Sequence, residues 1–213
     1  MDLRPARPTD AAGICAIYGP IVAETAISFE LDVPSVDEMA RRITDLQEGY
    51  PWLVAEEDGE VAGYVYGCAH RSRAAYGWST DASLYVHPRI HRRGVGRALY
   101  VALLELLRRQ RYEQVFAGIA LPNPASVGLH EAMGFTPVGV YRDVGWKLGR
   151  WHDVGWWQRR LGTVDDELLA ATTTPTAPTP PPPPPVPPRP FGDLTDADID
   201  AALDLGARHL RPR

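Results

Sequence analysis

Sixteen residues in the middle of the chain restrict its fold more than any other segment: Leu84-Tyr85-Val86-His87-Pro88-Arg89-Ile90-His91-Arg92-Arg93-Gly94-Val95-Gly96-Arg97-Ala98-Leu99. Residues 79–87 alternate as a strand that stops at Pro88, while Val95, Leu99, Leu103, Leu106 and Leu107 continue on one face of a strongly amphipathic helix. Between the two lies a loop whose glycines let the main chain approach a ligand. A helix that starts directly from such a loop presents successive N–H groups without intrahelical acceptors, which is an anion site. Arg92, Arg93 and Arg97 crowd the same turn as charge-assisted donors to phosphate oxygens. A bare glycine pair with solvated arginines would only shape a turn; strand, loop, arginines and long helix together favour a phosphorylated ligand. A nucleotide P-loop is excluded because the segment has no lysine, and a Rossmann fingerprint because its third glycine position is Leu99.

The rest of the chain supplies an α/β fold with a mixed sheet. Residues 3–6 read as a short edge strand, followed by Thr9 as cap candidate for a helix carrying Ala11, Ile14, Ile17 and Ile21. Ser35 with Glu38 is a capping-box start for a second helix through Met39, Ile43 and Leu46, ending near Gly49. Residues 52–56 and 60–68 form an antiparallel hairpin around Glu57-Asp58-Gly59. After the long helix come a strand at 115–120, a helix opened by Asn123-Pro124, and strands at 135–141 and 151–161. These segments make a domain of residues 1–162.

Beyond it, 11 of the 21 prolines fall between Pro175 and Pro190. Residues 163–190 therefore read as a Thr/Pro-rich linker, with 180–185 as a polyproline II rod that acts as a spacer or as a ligand for a proline-binding partner. Residues 191–213 are an acidic tail in which Thr195 and Asp198 cap a small helix through Ile199, Leu203 and Leu205, stopping at Gly206 and too short to stand alone.

Charge divides along the same line. Residues 163–213 carry eight acids and four arginines, whereas residues 1–162 carry 19 acids against 18 bases. A nearly neutral domain does not suit nucleic acid, so any anion must be held by local arginines. No apolar run approaches the roughly 20 residues needed to cross a bilayer, and the opening MDLRPARPTD lacks the apolar stretch of a signal peptide. The expected compartment is the cytoplasm, with no membrane partner. Cys15 and Cys68, the two cysteines, show no metal-ligand or CxxC spacing, so both are expected reduced and no metal site is expected.

The loop at His91-Arg92-Arg93-Gly94-Val95-Gly96 resembles the (Gln/Arg)-x-x-Gly-x-(Gly/Ala) loop of the GNAT superfamily of N-acetyltransferases, with His91 departing at its first position. The run Asn123-Pro-Ala-Ser126-Val-Gly-Leu-His130-Glu-Ala-Met-Gly134-Phe135 is similar to the family's later helix. Six further segments, including Asp58-Gly-Glu-Val-Ala-Gly63, Tyr85-Val-His-Pro88 and Trp151-His-Asp-Val-Gly-Trp156-Trp157-Gln, resemble the phosphinothricin N-acetyltransferase branch across residues 1–162. The resemblance implies a mixed sheet flanked by helices, with a splayed strand pair holding acetyl-CoA. It also implies acetyl transfer to the free amine of a small amino acid such as phosphinothricin or methionine sulfoximine or sulfone, no metal, and a homodimer.

Residue by residue, the resemblance places the pyrophosphate on Arg92, Arg93, Gly94, Val95, Gly96 and Arg97 beside His91. Main chain at Leu84, Tyr85 and Val86 is the oxyanion donor and cofactor edge, and Asn123 and Ser126 lie at the cofactor. Asp81 matches a glutamate base; being shorter, it acts directly only on a closer amine, or else through a bridging water. His130 matches a tyrosine that serves as general acid; the alternative for a lone helical histidine is core packing. Arg71, Arg73 and Tyr76 match a Lys-x-Arg-x-x-Tyr anchor for the substrate's anionic groups, with Phe29 and Trp78 as pocket walls or core. His152, in the Trp-His-Asp segment, suits a structural and a functional role equally. Two other readings stay open: a protein or peptide N-terminal acetyltransferase, and a non-catalytic acyl-CoA-binding module with a proline-rich docking tail.

Overall fold

The structure, a computed structural model, describes residues 1–90, 92–162 and 186–211. The chain runs through β1 (Asp2–Pro5), α1 (Ala11–Glu24), α2 (Val36–Gln47), β2 (Trp52–Glu57), β3 (Glu60–Ala69) and β4 (Ser79–Val86). It continues with α3 (Val95–Arg109), β5 (Gln114–Leu121), α4 (Pro124–Ala132), β6 (Thr136–Lys147), β7 (Arg150–Arg160) and, last, α5 (Asp196–Ala207). The strands form one sheet in the order β1-β2-β3-β4-β5-β7-β6, with β4–β5 the parallel neighbours and the other pairs antiparallel. The mixed α/β sheet expected from the sequence is what forms.

Strand alternation divides the core between the two faces of the sheet. Leu53, Ala55 and Val65 pack with the Leu99, Leu103, Leu106 and Leu107 stripe of α3. Trp52, Val54 and Tyr64 pack with Ile14 and Ile17 of α1 and Met39 and Ile43 of α2.

Some local expectations shift. The residue ahead of α1 is Asp10, not Thr9: a 3-10 turn at Pro8–Asp10 precedes the helix, and the Asp10 carboxylate accepts the Arg7 N–H at 2.7 Å and forks onto Arg4. At α2 the Ser35 hydroxyl accepts the Glu38 N–H at 3.1 Å, but the Glu38 carboxylate turns to Arg41 and Arg42, so no reciprocal bond forms. Strand β6 runs well past residue 141 because pairing with β7, including Gly145 with His152 and Trp146 with Trp151, sustains a stretch that lacks alternation of its own.

The tail docks on the domain. The polyproline reading at 180–185 lies outside the described residues, but from Val186 onward the chain is held. The Val186 carbonyl accepts from Trp78 Nε1 at 3.0 Å, and fully buried Gln110 bridges the Gly49 and Arg189 carbonyls. Phe191, Leu194 and Ala202 are buried in the α3 core. The Thr195–Asp198 capping box forms as expected, and Asp198 also pairs with Arg109 of α3 at 2.7 Å. Gly206 does not stop the helix. It lies inside α5 as the point of closest approach to α3, where an added Cβ would come within 2.5 Å of the Ala98 carbonyl. The helix that cannot stand alone is thus stabilised by burial. Phe191→Ala is expected to cost about 3–4 kcal/mol, read as a lower urea midpoint. An unchanged midpoint would mean that the tail adds nothing to folding.

Candidate active site

The parallel pair β4–β5 is joined only at Ser79–Gln114, Thr80–Val115 and Asp81–Phe116. Beyond Asp81 the strands part: 82–86 stay paired with β3, and 117–121 stay paired with β7. A sheet opened in this way exposes main-chain groups to a ligand instead of to a neighbouring strand. The parting forms a cavity of about 60 Å³ lined by Ser83, Leu84, Tyr85, Asn123, Ser126 and His130 among others. On the α1–α2 side of the sheet lies a second cavity of about 430 Å³, walled by Phe29, Tyr85, Tyr141 and Trp156. Ile27, Tyr85, Gly118 and Ala120 belong to both. The two spaces therefore back onto each other through the parted strands.

The glycine turn sits at the start of α3, beside the parting. Gly94 adopts φ +83, and the first bond of the helix runs from the Ala98 N–H to the Gly94 carbonyl, so the N–H groups ahead of Ala98 have no acceptor within the helix. Gly96 lies close against β4, where a Cβ would come within 3.2 Å of Leu84. Arg92 and Arg97 are exposed, as phosphate donors must be, whereas His91 lies outside the described residues. Arg93 departs from the expected role: its guanidinium forks onto Glu57 at 2.7 and 2.8 Å, which ties the loop to β2. The tail also reaches this turn. The Arg211 N–H donates to the Arg93 carbonyl at 3.0 Å, and the His209 carbonyl lies over Gly94. That contact occupies a carbonyl of the turn and none of its N–H groups.

Asp81 does not stand alone. Its Oδ1 lies 2.6 Å from Nδ1 of His70, a residue the sequence reading passed over. The His70 ring stacks on Phe116 at 4.2 Å, with Tyr76 and Trp156 edge-on at 6.0 and 5.9 Å. Burial pushes the Asp81 carboxyl up, against the lowering effect of the His70 bond and of the charges of His70 and Arg71. The Arg71 guanidinium lies 5.8 Å from the centre of the Trp156 ring, so Arg71, Tyr76 and Trp156 gather around the same pair. Arg73 is exposed nearby in sequence.

Phe29 walls the larger cavity, seated on Gly145, where any side chain would overlap its ring. Trp78 lines neither space; its indole N–H is turned to the tail at Val186. His152 is buried, hydrogen-bonded to the Lys147 carbonyl at 3.0 Å and 6.2 Å from the Phe29 ring, and so braces that wall.

Asn123 caps α4 by accepting the Ser126 N–H, and His130 follows one turn after Ser126. The His130 Nδ1–H donates to the Ser126 carbonyl at 2.7 Å, which leaves Nε2 to accept the Tyr100 hydroxyl at 2.7 Å. Burial lowers the pKa of this imidazole, keeping it neutral. His130 is thus a packed histidine that also borders the parting.

A sheet parted at one strand pair, with a glycine-led helix start beside the parting and a part-buried carboxylate–imidazole pair on the other face, is the arrangement of a two-substrate group transferase. The chain belongs to the GNAT acetyltransferases: residues 3–156 match the family described as Acetyltransferase (GNAT) domain. It is 41% identical over 159 residues to the phosphinothricin N-acetyltransferase of Streptomyces viridochromogenes, covering 75% of this chain and 87% of that one. It is 36% identical over 162 residues to the L-methionine sulfoximine/L-methionine sulfone acetyltransferase of Salmonella typhimurium, covering 76% of this chain and 95% of that one. Among solved structures, a GNAT superfamily phosphinothricin acetyltransferase from Sinorhizobium meliloti in complex with AcCoA superposes with TM-score 0.72 at 36% identity, over 75% of this chain and 88% of that one. Residues 186–211, which carry the docked tail, lie outside the matched domain. No helix among the described residues is long and apolar enough to cross a membrane, and no metal-ligand cluster occurs among them.

Proposed function

We propose that this acetyltransferase moves the acetyl group of acetyl-CoA onto the amine of a small amino acid such as phosphinothricin or methionine sulfoximine or sulfone, the acceptors for which its relatives are named. The observation that carries the reading is the shared wall of Ile27, Tyr85, Gly118 and Ala120 between the strand parting and the larger cavity, which lets a donor in one space meet an amine in the other. The diphosphate of the donor is assigned to the turn N–H groups with Arg92 and Arg97, and its arm to the parted β4 edge at Leu84, Tyr85 and Val86, beside Asn123 and Ser126. A main-chain N–H of that edge takes the oxyanion. Asp81 belongs to the base. His130, backed by the Tyr100 hydroxyl, is the group nearest to a thiolate leaving through the parting. Arg71, Arg73 and Tyr76 hold the acceptor's anionic groups and Phe29 its wall; Trp78 is not needed.

A thiol-release assay with acetyl-CoA against phosphinothricin, methionine sulfoximine, free amino acids and a short peptide with a free N-terminus tests the proposal. Turnover is expected with phosphinothricin and methionine sulfoximine. Turnover with the peptide alone would make the chain an N-terminal acetyltransferase, and none with any amine would leave an acyl-CoA-binding module.

The expected homodimer is supported by the outer strand β6, its turn and the start of β7, where Val138, Val144, Trp146, Leu148 and Trp151 are about half exposed in an apolar band; the expected compartment remains the cytoplasm. Light scattering is expected to give twice the 23.5 kDa chain mass, and Trp146→Glu a monomer. The Thr/Pro-rich segment is proposed as a tether or as a docking site for a proline-binding partner.

A further inference from the structure

On the acetyl-transfer reading a carboxylate as short as Asp81 has to reach the acceptor's proton, and the structure sets the His70 imidazole directly against it. We infer that Nε2 of His70 is the proton-accepting atom and that Asp81 is the positioning residue behind it.

An Asp81 oxygen 2.6 Å from Nδ1 fixes the tautomer with the proton on Nδ1, because a carboxylate can only accept there. The lone pair is then on Nε2, the far side of the ring, which has no hydrogen-bond partner among the described residues. Stacking on Phe116 and the edges of Tyr76 and Trp156 hold the ring plane, and Trp156 is itself a wall of the acceptor cavity. The His70 and Asp81 side chains are 11% and 23% exposed, so the pair is largely dry yet open to a ligand. An imidazole nitrogen is a stronger base than a carboxylate oxygen, which suits a group that takes a proton from an ammonium ion.

The charged and titratable groups facing the ring are few. Asp81 lies on β4, Tyr76 on the turn before it, and Arg71 donates to the His70 carbonyl. Cys68 lies across from Asp81 on β3 and is held as a neutral thiol, its pKa pushed up to about 12 by burial. Asp81 is the only one of these able to stabilise an imidazolium.

The step balances as follows. The acceptor ammonium gives one proton to Nε2, and the resulting imidazolium is held by Asp81. The freed nitrogen lone pair forms the N–C bond at the thioester carbonyl. Collapse breaks the C–S bond, the second nitrogen-bound proton leaves with the thiol, and the first passes from His70 to water.

The test uses the full chain. His70→Gln keeps a donor toward Asp81 but has no titrating lone pair, and His70→Gly leaves a hole for a free base. With acetyl-CoA affinity measured as the check on folding, both are expected to lose about 10²–10³-fold in kcat. The acid limb of the wild-type kcat/KM profile should disappear in His70→Gln. Added imidazole should restore part of the activity of His70→Gly and none of Asp81→Asn. An acid limb retained in His70→Gln, near-wild-type kcat in that variant, or His70→Gly binding acetyl-CoA yet gaining nothing from imidazole would overturn the inference. Failure of the acetyltransferase reading looks different: the wild type itself would turn over no amine.

Discussion

Asp81→Asn is expected to lower kcat by about 10²–10⁴-fold while leaving acetyl-CoA affinity unchanged. The amide is close in shape to the carboxylate, so packing around Phe116 and Cys68 survives, but it carries no charge. An amide can offer Nδ1 a donor as readily as an acceptor, so it no longer fixes His70 in the tautomer that the proposed step needs, and without a charge it cannot stabilise the imidazolium that the step would form. The side chain lies on the α1–α2 face of the sheet, whereas the glycine turn lies at the start of α3 on the other face, so the substitution leaves the proposed donor site untouched. Steady-state kinetics with saturating acceptor, together with calorimetric titration of acetyl-CoA, read the two quantities separately. Wild-type kcat in the variant would remove Asp81 from the reaction; an equal loss in donor affinity would mean that it supports the fold and not the chemistry.

Periodicity and capping chemistry, both local, made most of the elements legible in the sequence. The Leu99, Leu103, Leu106 and Leu107 stripe can only be a helix face against a sheet, and the Asn123-Pro124 start was readable because a cap depends on residues within one turn. Phe29, Asn123, Ser126 and His130, singled out from the sequence, border the two cavities. Contacts between segments distant in the chain were not legible. Arg93 looked like a free phosphate donor, yet its partner Glu57 stands 36 positions earlier and meets it only once β2 is in place. His70 was missed because it falls just past the end of β3, in a stretch without pattern. The signal that would have found it is the antiparallel register: strands 60–68 and 79–87, paired so that Cys68 opposes Asp81, bring the residue after the hairpin edge back over the carboxylate.

The tail shows the same limit from another side. Its composition reads as a linker followed by a weak helix, and the capping box was correctly placed. What composition cannot show is that Gly206, a stop signal by local rules, is the small residue that lets α5 lie against Ala98 and Ala102 of α3. Whether a glycine ends a helix or admits a neighbour depends on what packs beside it.

The same distinction governs Gly94, where the turn, the helix start and the tail converge. Gly94→Trp is expected to weaken acetyl-CoA binding by about 10²-fold or more, a loss of about 2.7 kcal/mol. Two effects act together. A side-chain-bearing residue at φ +83 costs roughly 1–2 kcal/mol of backbone strain, which pulls the turn N–H groups out of line. A Cβ there would also overlap the His209 carbonyl, forcing the tail off the turn. Thermal denaturation with and without acetyl-CoA reads the result: the ligand should raise the wild-type Tm and leave that of the variant where it was. Phe191→Ala separates the two causes, because it loosens the tail without touching the turn backbone. If Phe191→Ala keeps its acetyl-CoA response while Gly94→Trp loses it, the turn itself holds the diphosphate. Equal losses in both would make the tail a support of the site, and a full response in Gly94→Trp would place the donor's phosphates somewhere other than the start of α3.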